Sequence, residues 1–124
     1  MATPRPGRRV RGSETGRPIM ALLDLLGRRW ALRVGWELRN GPLGFRELQR
    51  RCAMLSPNLL TTRLREGVEA GTIEKDAEGA YGLTARGKSL VDLLAPLDAW
   101  AGDWAAELSS RPGRLRRANA RTRR

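Results

Sequence analysis

No histidine occurs in this chain of 124 residues, and cysteine, tyrosine and phenylalanine occur once each. The missing histidine removes the commonest metal ligand, the commonest general base and the usual pH switch. The single cysteine, Cys52, excludes an internal disulfide and any metal cage built of cysteines alone. The chain also lacks a phosphate-cradling glycine-rich loop and a convergent set of carboxylates. It therefore reads as a non-enzyme with no cofactor. No apolar run approaches the ~18 residues that a membrane span needs. The N-terminus is rich in Arg and Pro and has no apolar stretch of the kind a secretory signal carries. It is also too rich in Pro and Gly for the amphipathic helix of an organellar transit peptide. A cytoplasmic protein with no membrane partner is the expectation.

Lysine is scarce too: Arg outnumbers it 22 to 2, within a net charge of +11. The excess is not spread evenly. Residues 1–17 hold five Arg and one Glu, and residues 111–124 hold seven Arg and no acid. Residues 18–110 are balanced, with twelve basic and twelve acidic side chains. The two ends have few large apolar groups, so they bury too little surface to offset the entropy of ordering. The expected organisation is a disordered basic arm over 1–17, a folded domain over 18–110 and a disordered Arg-rich tail over 111–124. Basic arms of this kind favour polyanions. A solubility tail, or the imprint of an Arg-rich genome, stays open as the alternative.

The most informative stretch runs from Phe45 to Ile73, FRELQRRCAMLSPNLLTTRLREGVEAGTI. It predicts two helices joined by a short turn, then the start of a strand. Phe45, Leu48 and Cys52 form the apolar side of the first helix. Leu60, Leu64 and Val68, spaced by four, form that of the second. Ser56 sits where an N-cap belongs, and Pro57 is tolerated at the next position because no donor is needed there. Ala70-Gly71 ends the helix, since glycine accepts the left-handed conformation that follows many helices. With the apolar row buried, Asn58, Thr62 and Arg65 point the other way, flanked by Pro57 and Thr61. A polar, hydrogen-bonding face opening at a capped N-terminus suits a helix that reads the major groove.

Around this pair, the pattern predicts an apolar helix over Ile19–Leu26 and a second helix over Arg29–Arg39, closed by Asn40-Gly41-Pro42. Arg33 and Glu37 are placed to pair. Thr72–Lys75 and Ala80–Leu83 read as a small hairpin about the turn at Asp76–Gly79. Thr84 then caps a long helix reaching Leu108, kinked at Pro96. Leu90, Leu93, Leu94, Leu97, Trp100, Trp104 and Leu108 recur along it at helical spacing. Four Trp and two Leu-rich terminal helices exceed what one small core absorbs. A dimer built from the first and last helices follows, with Leu22, Leu26, Leu93, Leu97, Trp100 and Trp104 in its interface. Ordinary core packing is the alternative.

The segments LLGRRWALRVGWELRNGPLGFREL, LSPNLLTTRLREGVEAGTIEK and YGLTARGKSL occur in the order seen in the HxlR-type winged helix-turn-helix regulators. The chain resembles that group, relatives of the MarR-like proteins, over roughly residues 18–108. The resemblance implies a mainly α fold with a small β-hairpin wing. It also implies a dimeric DNA-binding transcriptional regulator whose last helix lies in the dimer interface. Many members carry a cysteine just before the proline that opens the first helix, used in thiol or electrophile sensing. The matching position here is Arg17, before Pro18, so that sensing mode is not carried over. Cys52 lies on an apolar side and reads as core, with a sensor role as the alternative. Asp76 and Glu78 would repel phosphate, which argues against insertion of the wing into a minor groove. Gly67 and Thr72 stand where the group usually has aliphatic residues.

On this reading double-stranded DNA is the partner, met by a homodimer on a palindromic site. Pro57, Asn58, Thr61 and Thr62 are the base-reading candidates, since Asn bonds adenine bidentately and a Thr methyl meets a thymine methyl. Arg46, Arg50, Ser56, Arg65, Arg86 and Lys88 are the phosphate candidates. Arg46 and Arg50 each have a competing partner in Glu47. Arg63, beside the buried row, braces the fold or reaches a phosphate. Two rival readings stay open. One is a regulator answering an unidentified small-molecule effector, with Trp30, Trp36, Trp100 and Trp104 lining an apolar pocket. The other is a winged helix that binds protein or RNA.

Overall fold

The computed structural model describes residues 2–10 and 16–110. Residues 1, 11–15 and 111–124, and with them the whole Arg-rich tail, lie outside the described residues. The helices are α1 (Pro18–Leu26), α2 (Ala31–Glu37), α3 (Phe45–Arg51) and α4 (Pro57–Glu69), then α5 (Ala85–Asp92) and α6 (Ala95–Ser109). Two strands, β1 (Ile73–Lys75) and β2 (Tyr81–Leu83), lie between α4 and α5. The chain divides into two compact units, Met1–Val91 and Asp92–Arg124.

In the first unit, one buried cluster joins α2, α3, α4, the hairpin and α5. Val34 and Leu38 come from α2 and its C-cap, Leu48 and Cys52 from α3 and its C-cap, and Leu60 and Leu64 from α4. Ile73, Leu83 and Val91 close it. Trp30 and Trp36 pack against this cluster, and the Arg39 guanidinium lies 4.2 Å over the Trp36 ring. Packing against the core therefore takes up these two tryptophans, which the small-molecule reading offered as pocket lining.

β1 and β2 pair antiparallel, with Ile73 opposite Leu83. A third backbone segment joins them: Leu43 and Tyr81 exchange both N–H···O bonds at 2.8 Å. Leu43, read only as a lead-in to α3, thus ties the α2–α3 loop to the hairpin. Thr84 organises the next junction. Its backbone N–H donates to Thr72 O, its hydroxyl donates to Gly71 O at 2.6 Å, and the same oxygen accepts from Gly87 N at 3.0 Å. A Cβ at Gly87 would collide with the Thr72 carbonyl oxygen. The Thr-x-x-Gly spacing is thus a packing requirement.

Two helix boundaries and one buried row differ from the sequence expectation. Trp30 adopts φ 72, so α2 starts only at Ala31. The left-handed residue turns the chain after the Gly27-Arg28-Arg29 loop, and such a conformation cannot belong to a right-handed helix. The long helix predicted from Thr84 is two helices. It breaks at Leu93-Leu94, and Pro96 sits in the first turn of α6, where its missing N–H costs nothing. Val68, expected in the buried row, is 47% exposed, and Gly67 and Glu66 are buried in its stead. Gly67 has a direct reason: a Cβ there would collide with the Ile73 side chain.

Candidate nucleic-acid interface

The Ser56 Oγ accepts from Leu59 N at 3.2 Å and so satisfies one of the free amides at the start of α4. Leu60 and Leu64 are buried to 0% and 2% exposure. Pro57, Asn58, Thr61 and Arg65 are exposed on the other side, and Thr62 is half-buried. The Thr62 hydroxyl donates to Asn58 O at 2.9 Å, leaving its methyl and its acceptor lone pairs available. Gly71, φ 79, ends the helix just past the Ala70 C-cap, as the Ala-Gly pair predicts.

The turn between α3 and α4 is tight and strained. Ala53 and Met54 both have positive φ, 55 and 58, without being glycine. Met54 N and the Gln49 side chain hold the turn: the former donates to Gln49 O at 2.9 Å, and Gln49 Nε2 donates to Leu55 O at 2.9 Å. Buried Leu55 then delivers the chain to Ser56.

The phosphate candidates fall into two groups. Arg46, Arg86 and Lys88 are exposed, and no side-chain partner is found for them among the described residues. Arg50 and Arg65 are engaged. Arg50 bonds Glu47 through Nε at 3.0 Å and Nη2 at 2.6 Å, and Arg51 Nε joins at 3.0 Å. The Arg50 bond, then that of Arg51, holds the Glu47 carboxyl below its ordinary pKa. Arg65 reaches Glu69 at 3.3 Å. These pairs are solvent-exposed, so opening them costs little.

Sequence reasoning missed a buried charge cluster behind α4. Glu66 is 2% exposed and accepts from Arg28 on one carboxylate oxygen and Arg63 on the other. Arg63 Nε also donates to Arg29 O at 2.5 Å, and Arg28 Nη2 donates to Ala2 O at 2.8 Å. Arg63 is therefore a brace, one of the two roles left open for it. The available signal was an acid next to the buried row, three positions after an Arg on the same helix. The N-terminal segment also meets α4. Thr3 is buried and its hydroxyl donates to Glu69, whose carboxyl is held low by this bond first and by Arg65 second.

The wing acids have separate fates. Asp76 Oδ1 accepts from Glu78 N at 3.0 Å and Ala80 N at 2.9 Å, so this carboxylate builds the hairpin turn. Glu78 is exposed.

Among the described residues, exposed apolar side chains gather on α1 and in the second unit. On α1, Leu22 and Leu26 are half-buried, while Ile19 and Leu23 are each 54% exposed. In the second unit, Leu93, Leu97, Trp100 and Trp104 are all exposed, and the two indoles stack with centroids 5.7 Å apart. Cys52 is buried, and burial pushes its thiol pKa up.

The sequence profile of the HxlR-like helix-turn-helix family matches residues 25–109. The chain belongs to that family. It is 31% identical over 88 residues to the uncharacterised HTH-type transcriptional regulator YvaP of Bacillus subtilis (strain 168), covering 66% of this chain and 82% of YvaP. The fold superposes on quinone-bound YodB from B. subtilis with a TM-score of 0.64 at 29% identity, over 68% of this chain and 94% of that one. It also matches a MarR-family regulator from Enterococcus faecalis V583 with a TM-score of 0.66 at 25% identity, over 82% and 97% of the two chains. This HxlR-like chain is a transcriptional regulator of the helix-turn-helix type with a winged-helix fold. Among its described residues no helix is long and apolar enough to cross a membrane.

Proposed function

We propose that the protein binds double-stranded DNA sequence-specifically through α4, as a homodimer on a palindromic operator, and that it has no catalytic role. One observation carries this reading: α4 buries Leu60 and Leu64 and turns Pro57, Asn58, Thr61 and Arg65 outward from a capped N-terminus. Asn58, Thr61, Thr62 and Pro57 read base edges. Ser56, whose oxygen already accepts from Leu59 N, has its hydrogen to donate to a phosphate. Arg46, Arg86 and Lys88 neutralise phosphates directly. Arg50 and Arg65 do so after exchanging a carboxylate for a phosphate oxygen.

The dimer reading is supported by α6. An isolated helix of 15 residues is marginal in water. This one exposes Leu97 and two stacked Trp, more apolar surface than a helix end leaves to solvent without a partner. On a two-fold symmetric site, the reading helices of a homodimer enter major grooves about one DNA turn apart, ~34 Å. Selection from a random duplex library tests the whole reading. Enrichment of a two-fold symmetric site is the expected result, and recovery of no preferred sequence contradicts it.

A regulator answering a small molecule is the second reading. YodB, a similar protein, has been crystallised with a quinone. Here Arg17 precedes Pro18, and Cys52 is buried with its thiol pKa raised. Thiolate chemistry is disfavoured in that environment, so an effector of this chain binds without a covalent bond.

A further inference from the structure

The start of the chain is fastened to the last turn of α4 and to the charge cluster behind it. Thr3 and Pro4 are buried, and the Thr3 hydroxyl donates to Glu69. The Ala2 carbonyl oxygen accepts from Arg28 Nη2 at 2.8 Å. The segment then turns. Arg8 N donates to Arg5 O at 3.2 Å, and Gly7 N donates to Gly16 O at 2.8 Å. Gly7 and Gly16 approach so closely that a Cβ on Gly16 would collide with the Gly7 backbone.

This turn carries Arg5 and Arg8, both exposed. With Arg9 and with Arg65 of α4 they line one hollow, against Asp24 and Glu69. The two acids are already engaged. Asp24 lies 3.9 Å from Arg28, and Glu69 takes the Thr3 hydroxyl and Arg65. No side-chain hydrogen bond or ion pair of Arg5 or Arg8 is found among the described residues. Arg65 follows Asn58 by seven residues, so it stands on the same outward side of α4, roughly 10 Å further along. The arginine surface thus runs on from the base-reading residues to the N-terminal segment. Positive charge continuous with a groove-reading helix is complementary to the backbone beside the bases being read.

We propose that residues 2–10 are a docked arm that meets DNA, with Arg5 and Arg8 on phosphates flanking the bases that α4 reads. Thr3 is the anchor, a positioning residue that touches no DNA itself. The anchor also prepares α4 for the duplex. When Arg65 leaves Glu69 for a phosphate, the carboxylate keeps the Thr3 hydroxyl. That carboxyl is held below its ordinary pKa by the Thr3 bond first, with smaller help from Arg65 and from the charge of Arg5. No bare acid is then left to repel the phosphates. The arm rests on the regulator reading above, because its partner is the same DNA, met by a second element.

Binding of the full chain to a selected operator and to one unrelated duplex, each over a series of salt concentrations, tests the arm. Each phosphate contact contributes about 0.9 to the slope of log K against log salt, so Arg5→Gln with Arg8→Gln is expected to flatten it by about 1.8 on both DNAs. The ratio of the two affinities stays unchanged, since phosphate contacts carry no sequence information. Thr3→Val keeps every charge but releases the arm, which must then be ordered on binding, so both complexes weaken several-fold. Thr3→Ser keeps the hydroxyl and binds like the wild type. An unchanged slope in the double variant overturns the phosphate assignment, as does a collapse of the affinity ratio. Wild-type affinity in Thr3→Val overturns the docking. Selection of no operator, with the slope still flattened on the unrelated duplex, breaks the regulator reading and keeps the arm. A selected operator bound with the wild-type slope by the double variant breaks the arm alone.

Discussion

Gly67 faces Ile73 so closely that any Cβ would need the space the isoleucine fills. Gly67→Ala is expected to lower stability by roughly 1–3 kcal/mol, as overpacking does, and thermal unfolding reads the loss. An unchanged melting temperature contradicts the packing described. Glu66 is the more consequential residue. It neutralises two arginines on the inner side of the very helix whose outer side is polar. Glu66→Ala removes the carboxylate that both guanidinium groups share in a largely covered site. Removing one partner of a buried ionic group costs about 3–5 kcal/mol. Urea unfolding checks it, and a loss no larger than that of an exposed substitution would falsify the assignment of a structural role. Neither residue was legible as such in the sequence. Gly67 stood out only as a departure from the aliphatic residue usual in the group, because the strand it touches follows a turn. Glu66 looked like one more charge on a polar helix, because Arg28 lies far away in sequence.

At the scale of elements, α4 was readable in advance for local reasons. Ser56 and Pro57 mark its start, Gly71 its end, and Leu60 and Leu64 its inner face, all through near-neighbour geometry. The buried row was mispredicted at its last turn, since Val68 follows the four-residue spacing while the helix turns Gly67 inward. The break at Leu93-Leu94 was also invisible as a break, because apolar residues keep helical spacing across it. Pro96 marked the place but not the degree. The link from Leu43 to Tyr81 escaped notice because a single bridge leaves no alternation to detect. The wing depends on its turn. Asp76 holds two backbone amides, so Asp76→Ala is expected to cost about 1 kcal/mol and to speed hydrogen exchange at Glu78 and Ala80. Exchange rates equal to those of the wild type contradict this.

For the molecule as a whole, the balanced centre and basic ends were plain from composition, and the apolar surplus of the last helix from its tryptophans. What composition did not reveal is that part of the basic N-terminal segment meets α4, through Thr3 and Glu69, and the cluster beneath it, through Ala2 and Arg28. Assembly belongs to this scale. With Trp100→Ser and Trp104→Ser together, sedimentation is expected to shift from dimer to monomer at micromolar protein. A dimer that persists assigns the interface elsewhere. The most direct test of the central claim, that the outward side of α4 reads bases, is the affinity of Asn58→Ala for a selected operator and for unrelated duplex at one salt concentration. The expected loss is ~1–3 kcal/mol on the operator and none on the unrelated DNA. Equal losses on both, or none on either, contradict it.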